Sequence, residues 1–107
     1  MITLSHVASI FVPSTVNVNQ AVDTTSIVNG ILAQLSSQFG GASMQDVTGA
    51  WLSDSSGLVV ESVKRIFCYG TDREELFAAF SSLAQELKEE LTQESVLIDV
   101  DNVGYLV

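Results

Sequence analysis

Apolar and polar residues alternate along residues 2–12, which predicts a half-buried β-strand. Pro13 is expected to end this strand because proline has no N–H to donate to a ladder. Residues 14–23 are mostly polar and predict a loop. The chain therefore begins with one strand and a long connection.

Two segments instead carry apolar residues at helical spacing. The first runs to Phe39, with N-cap candidates at residues 23–25 and a stop at Gly40-Gly41, since glycine accepts the left-handed conformation that ends helices. The second follows Thr71, which with Glu74 fits a capping box. Its apolar stripe is Leu76, Phe80, Leu83, Leu87 and Leu91.

The remaining segments predict strands. Residues 42–52 and 58–69 form a hairpin around the turn cluster at 53–57, with a bulge expected near Gly49 because alternation there is poor. Residues 94–100 predict a further strand, and residues 105–107 a short extra one after a turn.

The element order is therefore β-α-β-β-α-β over a single domain, residues 1–107. This order predicts an α+β, ferredoxin-like fold: an antiparallel sheet with both helices on one face. The other sheet face is expected to be wet, covered by a loop, or buried in an oligomer.

Composition adds two expectations. Hydrophobic residues make up 47% of the chain and charged residues only 16%, which favours a homo-oligomer such as a dimer. Cys68 is the single cysteine, so no intramolecular disulfide forms, and a reducing, cytoplasmic location is expected. We recognise no signal peptide, and no apolar run is long enough to span a membrane.

The formal net charge is −9, and the four basic residues all lie after residue 63. Such a chain repels phosphate backbones and anionic membranes, so direct nucleic-acid and membrane binding are not expected. Residues 71–107 hold nine acidic and two basic residues. The second helix places acidic side chains on the face opposite its leucines. This face is expected to bind a basic partner protein. The alternative is that it only aids solubility. These residues are Glu74, Glu75, Glu86, Glu89 and Glu90.

Four residues could line a ligand pocket: His6, Trp51, Glu61 and Tyr69. His6 is the only histidine, and a structural role is the favoured interpretation. A catalytic pair of His6 with Cys68 is geometrically allowed by the strand order but disfavoured, because buried free cysteines usually act as small hydrophobes. Trp51 and Tyr69 could stack on a ligand, although core packing is the commoner use of aromatic residues.

No motif predicts a metal, a cofactor or a catalytic group. The carboxylates Asp46, Glu61, Asp99 and Asp101 show no diagnostic metal-binding spacing. Gly40-Gly41 ends a helix and lacks the Lys-Ser/Thr of a phosphate loop.

From Phe39 onward the chain resembles a group of small bacterial, plasmid and phage proteins of unknown function. The shared pattern is Gly-Gly-Ala at residues 40–42, Gly-x-Trp at 49–51, Val-x-Glu near 59–61 and Gln-Glu-Ser-Val at 93–96. The resemblance implies a ferredoxin-like domain and a mobile-element origin, and it transfers no active site.

The favoured functional hypothesis is a non-enzymatic acidic binding or inhibitory protein, such as a phage counter-defence factor that blocks a basic host protein. The first alternative is a small-ligand-binding or modestly enzymatic ferredoxin-like dimer. The second is a structural homo-oligomer.

Overall fold

The computed structural model describes residues 1–16 and 20–107. In this part of the chain the strands are β1 (His6–Pro13), β2 (Thr15–Val16), β3 (Gln20–Ala21), β4 (Ser43–Ser53), β5 (Gly57–Gly70), β6 (Leu97–Val100) and β7 (Val103–Leu106). The helices are α1 (Thr25–Phe39) and α2 (Arg73–Glu90). The predicted loop at 14–23 contains the small β2–β3 sheet, and its residues 17–19 lie outside the described residues.

The described strands form an antiparallel sheet in the order β4-β5-β1-β6-β7. This is the ferredoxin-like arrangement that the element order predicted, with β7 added at one edge. The predicted extra strand is therefore confirmed, although it begins at Val103 and ends at Leu106.

Both helices pack on one face of the sheet. On β1, Ala8, Ile10 and Val12 are buried in a core shared with apolar residues of both helices. Because successive strand residues point to opposite faces, Phe11 and Pro13 point away from the helices. We call that second surface the open face.

Local chemistry differs from the sequence expectation at two places, the β4–β5 ladder and the cap of α2, and agrees with it at the start of α1. The β4–β5 ladder is continuous from Ser43↔Phe67 to Ser53↔Gly57, so the expected bulge near Gly49 is wrong. The cap of α2 is Asp72, which accepts hydrogen bonds from the backbone N–H groups of Glu74 (3.0 Å) and Glu75 (3.4 Å); Thr71 does not cap the helix. At α1 the Asp23 carboxylate accepts from the Thr25 N–H at 3.0 Å.

Asp101 joins three elements at one end of the sheet. Its carboxylate accepts from the Val7 N–H at 3.0 Å and contacts His6 Nδ1 at 2.7 Å, and Arg73 Nε lies 3.9 Å away. Asp101 and Asn102 both have positive φ in the β6–β7 turn. The Val7 N–H, and then His6, hold the pKa of Asp101 below its ordinary value.

We predict that Asp101→Asn lowers the stability of the protein at neutral pH and that this difference shrinks below about pH 4. A carboxylate with a lowered folded-state pKa stabilises the protein above its unfolded-state pKa, and that contribution is lost as the pH falls through the folded-state value. Asparagine tolerates positive φ, so the substitution tests the charge and not the turn. Urea unfolding at several pH values measures the effect.

The control for this prediction is Asp54→Asn, which changes an exposed turn residue. A difference between wild type and Asp101→Asn that is constant from pH 3 to pH 7 would contradict the linkage.

Candidate functional site

A groove of about 550 Å³ lies on the open face of the sheet. The residues of β1 and β5 that point away from the helices form part of its apolar floor, and β4, β6 and β7 supply its sides. We call it the open-face groove; its lining residues include Phe11, Pro13, Val47, Gly49, Trp51, Glu61, Val63, Gln93, Leu97 and Leu106. It is apolar with few polar groups, which is typical of small-molecule sites.

The polar groups gather at one end of the groove. The half-buried Glu61 accepts a hydrogen bond from Thr15 Oγ1 at 3.0 Å. Gln93 Nε2 donates to the backbone oxygen of Thr15 at 2.9 Å and to that of Leu91 at 3.2 Å. These bonds tie β2 and the segment after α2 to the carboxylate, and they hold the Glu61 side chain in place.

An adjoining cavity of about 280 Å³ extends the groove at this end. It shares Trp51, Glu61 and Gln93 with the groove and adds Thr15 and Glu94. Two carboxylates and an indole ring therefore lie around one space. None of the described residues that line either cavity is lysine, arginine or histidine.

This arrangement favours one class of ligand. Carboxylates without basic neighbours attract cations, and an indole face adds attraction for a cation or a stacking surface for a planar ring. The apolar walls favour a ligand with an uncharged body. The groove is therefore suited to a cationic molecule that also carries a planar or apolar part, and it disfavours phosphates.

The structure brings together two of the four pocket residues expected from the sequence. Trp51 and Glu61 both line the groove, since Gly49 pairs with Glu61 and Trp51 with Val59 on adjacent strands. Tyr69 lies eight residues from Glu61 along β5, roughly 27 Å at 3.4 Å per residue. His6 lies at the same far end, opposite Gly70.

The hypothetical catalytic pair of His6 and Cys68 is not formed. His6 Nδ1 contacts Asp101 at 2.7 Å. Cys68 is buried in the core on the helix side of the sheet, where burial raises the pKa of its thiol to about 11. A thiol of this kind is a poor nucleophile at neutral pH.

Three groups of the site were not predicted as site residues. Thr15 belongs to a segment whose composition predicted only a loop. Gln93 and Glu94 appeared only as part of the Gln-Glu-Ser-Val pattern. The Gln-Glu-Ser-Val pattern of residues 93–96 was the available signal, because Val-x-Glu and Gly-x-Trp of the same pattern supply Glu61 and Trp51.

The acidic residues of α2 lie where the helical spacing placed them. Glu74, Glu75, Glu86, Glu89 and Glu90 are all exposed. Arg73 approaches Glu74 at 3.5 Å, and Gln85 donates to Glu89 at 3.4 Å. Binding of a basic partner at this face stays a prediction.

No model of a protein family and no curated protein matches the chain. Two solved structures do: a phage SAM lyase in complex with S-methyl-5'-thioadenosine (TM-score 0.76) and a phage SAM lyase in the apo state (TM-score 0.75). Each is 24% identical, and each alignment covers 100% of this chain and 94% of the other. The similarity shows that the whole chain shares the fold of these phage proteins.

This comparison overturns two expectations from the sequence. The non-enzymatic acidic inhibitor, and with it the preference against an enzyme, is wrong, because both structures that share the fold of the whole chain are of phage SAM lyase. The sequence interpretation gave most weight to the exposed acidic residues of α2. The open-face groove forms only when the strands of the sheet pair, so it was not considered. In the described residues no helix is long and apolar enough to cross a membrane.

We predict that the Cys68 thiol reacts with a disulfide reagent such as DTNB only when the protein unfolds. At pH 8 a thiol with a pKa of about 11 is roughly one part in a thousand thiolate, and its side chain is buried. Labelling rates in buffer and in 6 M guanidinium chloride measure this. Rapid stoichiometric labelling of the folded protein would contradict the buried position.

Proposed function

We propose that this protein is a lyase that cleaves S-adenosylmethionine (SAM) in the open-face groove and releases S-methyl-5'-thioadenosine. The observation that carries the proposal is the apolar groove with carboxylates and an indole at one end, on a fold shared along the whole chain with phage SAM lyases. The groove alone indicates only the chemistry of a ligand, and the shared fold alone indicates no site. Together they connect a ligand chemistry to a place on the molecule.

The charge of the protein supports a cationic substrate. SAM carries a sulfonium and an ammonium group against one carboxylate, so it is a net cation at neutral pH. A chain with a formal net charge of −9 attracts such a ligand and repels nucleotides such as ATP. The thioether product is uncharged, so this attraction acts on the substrate and not on the product.

Within the groove, Trp51 and Glu61 take different parts of the ligand. The Trp51 indole offers a face on which the adenine ring stacks. The Glu61 carboxylate, held by Thr15, accepts a hydrogen bond from the substrate's ammonium group. The apolar floor then lies beneath the sulfonium and the carbon chain.

The reaction that fits this groove is an internal displacement. The substrate's own carboxylate oxygen attacks the carbon next to sulfur, the carbon–sulfur bond breaks, and its electron pair stays on sulfur. The products are S-methyl-5'-thioadenosine and a five-membered lactone that keeps the ammonium group, so atoms and charge balance without a proton transfer. Two opposite charges disappear in this step, and an apolar, water-poor surrounding favours such a loss of charge over bulk water.

The displacement also agrees with the residues that are present. It needs no general base, and the described lining residues include no histidine. The contribution of the protein is then to bind the substrate in the bent conformation in which carboxylate and carbon meet.

Removal of SAM would deprive methyltransferases of their methyl donor. Within the proposed function, a counter-defence role for a phage-type protein would therefore act through consumption of a small molecule instead of through occupation of a basic host protein.

We predict that the purified protein converts SAM to S-methyl-5'-thioadenosine and that Glu61→Gln lowers kcat/KM about 10- to 100-fold. The loss corresponds to about 1.5–3 kcal/mol for a hydrogen bond to a charged group. Chromatography with mass detection follows both products over time against the slow spontaneous decay of SAM.

The matched control is Glu74→Gln, which removes one exposed carboxylate from α2 and keeps the net charge equal to that of Glu61→Gln. Equal loss in both variants would indicate that long-range charge, and not the site, matters. Absence of product above the spontaneous rate, in wild-type protein that also fails to bind S-methyl-5'-thioadenosine by calorimetry, would overturn the proposal.

We predict separately that Trp51→Ala weakens the binding of S-methyl-5'-thioadenosine by roughly 5- to 150-fold, since stacking of a base on an aromatic ring contributes about 1–3 kcal/mol. Trp51→Phe should retain much of the affinity. Tyr69→Ala removes an exposed aromatic residue at the far end of β5 and serves as the control. An unchanged dissociation constant for Trp51→Ala would show that the indole does not contribute to ligand binding.

A further inference from the structure

The sequence contains few side chains that can bind an anion. Its cationic candidates are His6, Lys64, Arg65, Arg73 and Lys88, and residues 17–19, Asn-Val-Asn, add none. None of these five side chains lines the open-face groove or the adjoining cavity. A ligand at the Glu61 end of the groove therefore meets carboxylates without a basic lining residue beside them.

Four of the five candidates are held at other places. His6 Nδ1 and Arg73 Nε lie 2.7 Å and 3.9 Å from the Asp101 carboxylate, at the far end of the sheet. Lys64 forms an ion pair with a β4 carboxylate, on the side of the sheet that the helices cover. Lys88 belongs to the last turn of α2.

Arg65 points to the open face, and its contacts turn it away from Glu61. Its Nε donates to the buried Ser9 hydroxyl at 3.0 Å, and its Nη1 donates to Gln45 Oε1 at 2.6 Å. The guanidinium carbon lies 4.3 Å from the centre of the Phe67 ring. Phe67 is farther from Glu61 along β5 than Arg65 is, so this contact directs the guanidinium away from the polar end of the groove.

The Gln93 amide and the Thr15 hydroxyl are also committed to the protein. Gln93 has two amide hydrogens, and its Nε2 donates to the backbone oxygens of Thr15 and Leu91. The Thr15 hydroxyl donates to Glu61. The charged groups that line this end of the groove are therefore the two carboxylates, Glu61 and Glu94.

These contacts determine how an amino-acid group is oriented. In SAM the ammonium and the carboxylate are attached to the same carbon, so an ammonium bound at Glu61 brings the carboxylate near two like charges. Repulsion by Glu61 and Glu94 turns this carboxylate toward the carbon next to sulfur, where the proposed displacement needs it. A carboxylate bound by arginine would have its oxygens occupied by hydrogen bonds, whereas an unbound one is free to attack.

We propose that the open-face groove binds S-adenosyl cations through their adenine ring and ammonium arm and makes no stabilising contact with their carboxylate. Decarboxylated SAM, in which hydrogen replaces the carboxylate, is then a tight-binding inhibitor that the protein does not cleave, because it lacks the internal nucleophile. Glu94 is the second carboxylate that faces the ammonium. The identity of the adenosyl ligand rests on the proposed lyase function.

Binding can be measured at the site itself, since Trp51 is the only tryptophan of the sequence and lines both cavities. Stopped-flow quenching of its fluorescence records the binding of SAM before cleavage. Decarboxylated SAM should bind about fivefold more tightly than SAM, which corresponds to relief of the repulsion between two unit charges about 4 Å apart in water. It should also inhibit SAM cleavage competitively and stay intact by chromatography.

Weaker binding of decarboxylated SAM than of SAM would show that the carboxylate is recognised, and it would overturn the proposal. Cleavage of decarboxylated SAM would overturn it as well, because a nucleophile other than the substrate carboxylate would then be acting.

A charge variant separates the Glu94 contact from the overall field. Glu94→Gln should weaken the binding of decarboxylated SAM about two- to fivefold, as expected for an exposed ion pair. It should leave the binding of the uncharged S-methyl-5'-thioadenosine unchanged. Glu74→Gln makes the same change in net charge on α2 and should affect neither ligand. Equal losses in the two variants would overturn the assignment of Glu94.

Arg65→Gln tests the remaining cation of the open face. The ratio of the affinities for SAM and decarboxylated SAM should equal that of the wild-type protein, with circular dichroism to confirm the fold. A loss of affinity for SAM alone would place the substrate carboxylate at Arg65 and overturn the proposal.

The two proposals fail in different ways. Tighter binding of decarboxylated SAM than of SAM, without cleavage of SAM above its spontaneous rate, would overturn the lyase function and leave the mode of recognition standing. Cleavage of SAM by a protein that binds decarboxylated SAM more weakly would do the reverse.

Discussion

The rest of the structure depends on β1 being paired on both sides while only one of its faces is covered. β5 pairs with β1 along its whole length and β6 pairs with it from Ala8 to Ile10, while apolar residues of both helices share a core with Ala8, Ile10 and Val12. Among the residues that the structure describes, no helix covers the opposite face, because a β-α-β-β-α-β chain with right-handed crossovers places both helices on the same side. The open-face groove is therefore a direct consequence of the topology.

Strand length sets the second constraint. The helices of 15 and 18 residues cover the sheet only where β1 is present, whereas β4 and β5 have 11 and 14 residues. The β4–β5 hairpin therefore projects beyond β1, and its Trp51 and Glu61 line the open-face groove. One hairpin thus contributes both to the edge of the sheet and to the candidate site.

The sequence allowed the fold to be predicted because its signals are local: alternation in residues 2–12, leucine spacing after Thr71, and Gly40 with a φ of 87° after α1. The site depends on register and could be predicted only in part. Glu61 and Trp51 were selected as residues, but Thr15 and Gln93, 78 positions apart, meet only in the folded chain. Asp72 displaced Thr71 as the cap because both residue types cap helices well and the neighbouring geometry decides between them.

The acidic composition and the apolar groove, which first suggested different functions, act over different distances. Most of the negative charge lies in residues 71–107 and much of it on exposed side chains of α2, where water and salt reduce any single contact to little. Such charges still add up to a field that draws cations toward the molecule. Within the groove, specific contacts act on the ligand at short range. The Glu61 carboxylate is held by Thr15, and apolar walls surround it. The negative charge of the protein attracts a cationic substrate. The apolar walls of the groove then favour the uncharged product over the charged substrate.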